Sequence, residues 1–219
     1  MHANAFELLD YAVARDLSQF GMENMNGLKS CRVQSCQEIK YIFVGESNKL
    51  PILEVLHVIG LPKLQGIWRG PMPHDGLSRL KLLNLRRCPS LMMALTCSAA
   101  QLLRELEELR VKNCLNITEI VGHEETVKKG KILPKLKILV LVDLPMLACI
   151  YKEESPLFTC SALEMIQVSN CSLLRKLPLG QPNRDTQTTI RGEKGWWDAL
   201  EWEDGIHQEK FQHLYKSEE

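Results

Sequence analysis

The sequence predicts an α/β repeat fold: a curved solenoid with a parallel sheet on its concave face, an irregular or short-helical convex side, and a Trp-rich C-terminal cap. Three observations predict it. One apolar frame recurs six times, reading apolar-x-x-apolar-x-apolar-x-x-(Cys or Leu)-x-x-apolar. Its anchors, Cys31, Leu56, Leu83, Leu109, Leu139 and Ile166, follow one another at spacings of 25, 27, 26, 30 and 27 residues. Finally, a further apolar pair trails each of the first five copies, and three of the chain's four tryptophans gather after the last one.

The apolar-x-apolar step has period two, which makes a short strand with one face inward. The flanking three-residue spacings carry the chain round a coil to the next strand. A single coil cannot bury its own apolar side, so coils must stack into a continuous column. This frame and period are those of a leucine-rich repeat.

Residues 1–24 read as a degenerate first coil, with Phe6, Leu9, Ala12, Ala14, Leu17 and Phe20 as its apolar positions, or as a short amphipathic helix over 8–20. Residues 25–178 hold the six repeats. Each begins at an apolar residue (Leu28, Leu53, Leu80, Leu106, Leu136 and Leu163). The trailing pairs, Ile42-Phe43, Ile67-Trp68, Ala94-Leu95, Ile120-Val121 and Ile150-Tyr151, with Leu177 alone in the last copy, read as convex-side packing. Between pair and next strand the length varies: 122–131 is the longest and most charged insert, and Gly70-Pro71-Met72-Pro73 is a turn cluster. Residues 179–219 leave the frame. Their tryptophans, Trp196, Trp197 and Trp202, need cover, and the end of the column needs a lid.

The 27 basic and 27 acidic residues cancel, which disfavours a nucleic-acid partner held through phosphates. No apolar run reaches the length of a membrane span, and the first residues lack the charged and apolar regions of a signal peptide. With no capping segment before the first coil, the chain is expected to be a piece of a longer protein or a truncated gene product. Four of the eight cysteines, Cys36, Cys88, Cys114 and Cys171, share one frame position where Leu61 and Leu144 substitute. They read as small buried hydrophobes, free of metal and disulfide roles, which favours a reducing, cytoplasmic compartment. Asn116-Ile117-Thr118 and Asn170-Cys171-Ser172 match the glycosylation pattern, which is discounted without a signal peptide. His207, Glu209 and His213 read as a solvated face in preference to a metal site.

No nucleophile, zinc-protease, phosphate-loop or dinucleotide motif is present, so neither an enzyme, a cofactor nor a small-molecule substrate is expected. The informative surface is the outward face of the strands. Arg86, Arg110 and Lys112 come together there, and the next strand presents Ile138, Val140 and Val142. Arg32 and His57 occupy the middle outward position of the first two strands. A basic patch beside an aliphatic stripe suits a protein partner. All eight side chains are expected to stand clear of the column.

The runs LKLLNLRRCPSL (80–91), LEELRVKNCLNITEIVG (106–122), GLPKLQGIWRGP (60–71) and IRGEKGWWDALEWED (190–204) carry a more specific likeness. With the repeats, over most of 17–211, they resemble the C-terminal region of plant intracellular disease-resistance receptors, proteins with coiled-coil, nucleotide-binding and leucine-rich-repeat parts. The resemblance implies a sensor role in plant defence: binding a pathogen effector, a guarded host protein or the receptor's own nucleotide-binding switch domain. The switch domain's phosphate loop is absent here, so the resemblance carries no nucleotide binding. A substrate-adaptor repeat domain of a ubiquitin-ligase receptor is the alternative from another class. An upstream F-box-like helical segment would favour it.

Overall fold

In the computed structural model, the described residues are 4–21, 26–45, 50–70, 72–122, 130–151, 162–179, 188–202 and 208–218. Every copy of the frame forms a five-residue strand. These are β2 (Ser30–Gln34), β4 (Val55–Ile59), β6 (Leu82–Arg86), β8 (Glu108–Lys112), β10 (Ile138–Val142) and β12 (Met165–Ser169). They pair in parallel, residue for residue at the frame positions. The twelve inward side chains, from Cys31 and Val33 to Ile166 and Val168, are all 0% exposed.

The coil behind the sheet is more regular than the expected irregular or short-helical side. The trailing apolar pairs lie in short strands: β3 (Tyr41–Val44), β5 (Gly66–Arg69), β7 (Met93–Thr96), β9 (Glu119–Gly122) and β11 (Cys149–Tyr151). β3 and β5 form one small parallel sheet, and β7, β9 and β11 another. One short helix, α1 (Cys97–Leu102), follows β7, with the Thr96 hydroxyl accepting from the Ala99 N–H.

The first coil is in a different register from the one expected. Strand β1 (Ala5–Leu9) pairs with β2 through Phe6↔Cys31 and Leu8↔Val33. The anchor is therefore Phe6, and Ala12 is exposed. Behind the strand, Leu17 N–H donates to the Ile42 carbonyl and Lys40 N–H to the Arg15 carbonyl, so Ala14 and Leu17 fill the positions of Ile39 and Ile42. Of the alternative helix over 8–20 there is only a 3-10 turn, Ser18–Phe20.

Each of the seven strands from β1 to β12 in the main sheet ends in a left-handed residue: Asp10, Ser35, Gly60, Arg87, Asn113, Asp143 and Asn170 all have φ between 52° and 65°. That turn sends the chain off the sheet toward the convex side. Asp, Asn and Gly suit it, because short polar side chains or none tolerate this backbone. Arg87 does not. One carboxylate knits three coils: Asp143 accepts from Asn113 at 2.6 Å and from Asn170 at 2.7 Å.

The recurring cysteine has a reason as well. In all four copies the thiol donates to the carbonyl two residues back, at 3.3–3.4 Å (Cys36 to Gln34, Cys88 to Arg86, Cys114 to Lys112, Cys171 to Ser169). Leu61 and Leu144 fill the same volume without that weak bond. The seven described cysteines are free thiols. Burial pushes Cys31 up to about 12 and Cys171 up to about 11.

The tail continues the sheet, although it has left the frame. Strand β13 (Thr189–Gly192) pairs with β12, and β14 (Tyr215–Ser217) pairs with β13, so the sheet has nine strands in the order β1-β2-β4-β6-β8-β10-β12-β13-β14. Helix α2 (Lys194–Asp198) delivers the double tryptophan. Trp196 donates from its indole to the Leu174 carbonyl at 3.0 Å. Trp197 stacks on Tyr215 with centroids 4.4 Å apart, and Trp202 stacks on Phe211 at 4.8 Å. Gly192 makes room for this: a Cβ there would meet the Trp196 ring at 2.5 Å and the Val168 carbonyl at 2.9 Å.

Candidate functional site on the concave sheet

Residue-for-residue pairing turns the outward positions into three rows across the sheet. The middle row runs Glu7, Arg32, His57, Asn84, Arg110, Val140, Gln167, Arg191, Lys216. One flanking row carries Gln34, Ile59, Arg86, Lys112, Val142 and Ser169, and the other Ser30, Val55, Leu82, Glu108, Ile138 and Met165. All eight expected site residues therefore lie on one face. Arg86 and Lys112 are direct cross-strand neighbours, as are Arg32 and His57.

Three details change how that face works. Val140 is only 2% exposed, so the expected accessible stripe is interrupted at its centre. It sits in register between Arg110 and Gln167, whose longer side chains rise on either side, and Gln167 is itself held by Glu218 at 3.1 Å. Ile138 and Val142 remain half-buried. Next, Arg110 forms an ion pair with Glu108 on its own strand, which ties down its guanidinium. Arg32 approaches Glu7 more loosely, at 3.9 Å. Arg86 and Lys112, by contrast, make no ion pair among the described residues.

His57 is a hydrogen-bonding group here more than a charge. Its Nδ1 lies 3.2 Å from the Asn84 amide nitrogen. Its pKa is lowered from the ordinary 6.5, first by burial and then by the positive charges of Arg32 and Arg110. A neutral imidazole accepting from Asn84 fits that environment.

Sequence reasoning missed Arg191 and Lys216, which carry the basic row into the tail strands. The signal was faint: Thr189, Ile190 and Arg191 alternate as a strand does, but no frame surrounds them. The charged insert 122–131 lies largely outside the described residues. The two glycosylation-pattern asparagines are engaged in the fold, Asn116 donating to the Pro89 carbonyl at 2.8 Å and Asn170 to Asp143. Among the described residues there is no group of three metal-ligating side chains, and no helix long and apolar enough to cross a membrane.

The sequence that builds this sheet is similar to known proteins. The family described as plant disease resistance protein RPS2-like, leucine-rich repeats, matches residues 53–178, more than half of the chain. Disease resistance protein At4g27190 of Arabidopsis thaliana is 29% identical over 159 residues, covering 71% of this chain and 15% of that protein. Probable disease resistance protein At5g63020 of the same plant is 36% identical over 110 residues, 48% of this chain and 12% of its own length. Probable disease resistance protein At1g12290 is 36% identical over 118 residues, with the same coverage. The chain thus spans a small part of the length of these relatives. Over the part it does span, the frame, the parallel sheet and the family match agree: this chain belongs to the leucine-rich-repeat family of RPS2-like plant disease-resistance proteins.

Proposed function

We propose that the chain is a non-catalytic, cytoplasmic recognition module of a plant disease-resistance protein. It binds a protein through the concave sheet: a pathogen effector, a guarded host protein, or the nucleotide-binding part of the same receptor. One observation carries this reading. In a chain of zero formal net charge, the outward rows gather Arg32, Arg86, Arg110, Lys112, Arg191 and Lys216 against Glu7 and Glu108. An acidic partner surface complements such a face, and the charges would act mainly on encounter. Ile138 and Val142 supply apolar contact beside them, and His57 with Asn84 supplies neutral hydrogen bonding. On the same reading, the tryptophan cluster of 179–219 is the lid of the column.

The test is a titration of the chain against the nucleotide-binding part of these receptors and against effector candidates, comparing the parent with Arg32→Glu/Arg110→Glu. Slower association by about tenfold, with dissociation little changed, supports the concave site. Equal association by parent and variant removes it.

A further inference from the structure

The strand ends open onto a depression of about 460 Å³ that the concave face does not include. It crosses three adjacent coils and is built from two rows. Gly60, Arg87 and Asn113 are the left-handed turn residues that close β4, β6 and β8. Pro62, Pro89 and Leu115 follow, each two residues further round its coil. We propose that this edge groove is a second recognition site, which takes an extended, acidic segment of a partner protein with an apolar side chain between its carboxylates. The proposal rests on the recognition reading above, and assigns it a different surface and a defined partner chemistry.

Charge points to an acidic occupant. Arg87 lines the groove and is exposed. Arg86 and Lys112, paired across the last rung of β6 and β8, stand beside it. None of the three makes an ion pair among the described residues. The acids at the groove's margin are already satisfied: Glu38 is held by Lys63 at 2.6 and 2.8 Å, and Asp143 by Asn113 and Asn170. Arg87 is therefore an uncompensated cation in the groove, with two more, Arg86 and Lys112, on the adjoining edge of the sheet.

The floor points to an apolar contact. Leu115 is 53% exposed, a large aliphatic side chain left in water. Pro62 and Pro89 continue its row, and both are pinned. The Ser90 hydroxyl donates to the Pro62 carbonyl at 2.6 Å, and Asn116 donates to the Pro89 carbonyl at 2.8 Å. A rail fixed in this way needs no ordering when a partner lands on it. Coils about 4.8 Å apart give three rungs a span that four or five extended residues can follow.

The backbone supplies a third argument. At the left-handed position the other coils carry Asp, Ser, Gly or Asn. Arg87 holds φ at 55°, where a long side chain costs about 1 kcal/mol. Its side chain is exposed and makes no hydrogen bond or ion pair among the described residues to offset that strain, whereas a contact of its guanidinium with a partner would. Gly60 next to it leaves space: the nearest atoms to a Cβ there would be those of Ser35, from 3.8 Å.

The test uses the full chain and fluorescent short peptides in an anisotropy titration. One peptide places Asp and Glu around a central Leu, a second replaces the acids by Gln and Asn, and a third replaces the Leu by Ser. The acidic Leu peptide should bind at least about tenfold tighter than either of the others. Arg87→Asn should weaken it about tenfold while leaving the melting temperature equal or higher, because Asn suits the left-handed turn. Gly60→Asn, which also tolerates that backbone but intrudes on the groove, should weaken it too. Arg191→Glu, at the far end of the concave face, should leave it unchanged. No binding of the acidic Leu peptide, or equal binding by parent and Arg87→Asn, overturns the proposal. Loss of binding in Arg191→Glu alone overturns it as well and assigns the peptide to the concave face. The association defect of Arg32→Glu/Arg110→Glu reports on that face independently.

Discussion

Single side chains show where outward position and accessibility part company. Val140 points away from the column and is nevertheless 2% exposed. Val140→Asp should therefore destabilise the fold by about 2 kcal/mol or more, since a carboxylate would be buried without a partner. Denaturant melts check this, with Val142→Asp, at a half-buried position, as the milder comparison. If the two cost the same, the neighbours do not close over Val140. Cys31 makes a second residue-level case through pH. Its thiol is pushed from an ordinary 9.0 up to about 12 by burial. Above pH 9 the unfolded chain therefore gives up a proton that the folded chain keeps. Fewer protons on the unfolded state means stability falls as pH rises, through a window from about 9 to about 12. Cys31→Val should flatten that loss in melts taken across the window. An unchanged alkaline slope would place the thiol nearer water than the fold does.

Within a coil, the strand and its left-handed turn are the unit. The turn residue decides how cheaply the chain leaves the sheet, and Arg87 is the costly one. Arg87→Asn should stabilise the protein by about 1 kcal/mol, read as a shift in denaturation midpoint at constant slope. A fall in stability would mean that the guanidinium packs usefully on its own coil. Between coils, ion pairs recur on the surface: Glu38–Lys63, Glu54–Lys81, Glu105–Lys135 and Glu107–Lys137 each link one coil to the next. Being exposed, each adds little, and their use is in holding register. Gly192 belongs at this scale as well. Gly192→Ala forces a methyl group against the Trp196 ring and the Val168 carbonyl, neither of which can yield cheaply. Thermal melts should show a loss of about 1–3 kcal/mol.

For the molecule as a whole, a stack of coils has neighbours on two sides everywhere except at its ends. Stability should therefore be uneven, highest near β6 and β8 and lowest toward β1 and β14. Trp197 is 1% exposed and lies between Tyr215 and Trp202. Trp197→Ala should cost the C-terminal end about 3–5 kcal/mol. Hydrogen exchange is the suitable measurement, because it reads each region separately. Protection should vanish across β13 and β14 while β6 and β8 keep theirs. Uniform loss along the sheet would show one cooperative unit in place of a nearest-neighbour column.

The frame alone determined six strands, their parallel register and the identity of the buried column, down to the Cys or Leu position. Those features follow from a local period that the apolar residues print directly into the sequence. It also put Arg86 beside Lys112, because register fixes which outward residues face one another. The first coil was misplaced by six residues because Ala12 and Ala14 match the frame as well as Phe6 and Leu8 do, and only pairing with β2 chooses between them. The tail strands were invisible for the same reason: β13 and β14 are strands because β12 offers an edge to pair with. The burial of Val140, the capture of Arg110 by Glu108 and the groove at the strand ends belong to the tertiary structure alone. Each depends on how long a side chain stands on the neighbouring position or coil and which way it turns, and no one-dimensional pattern carries that information.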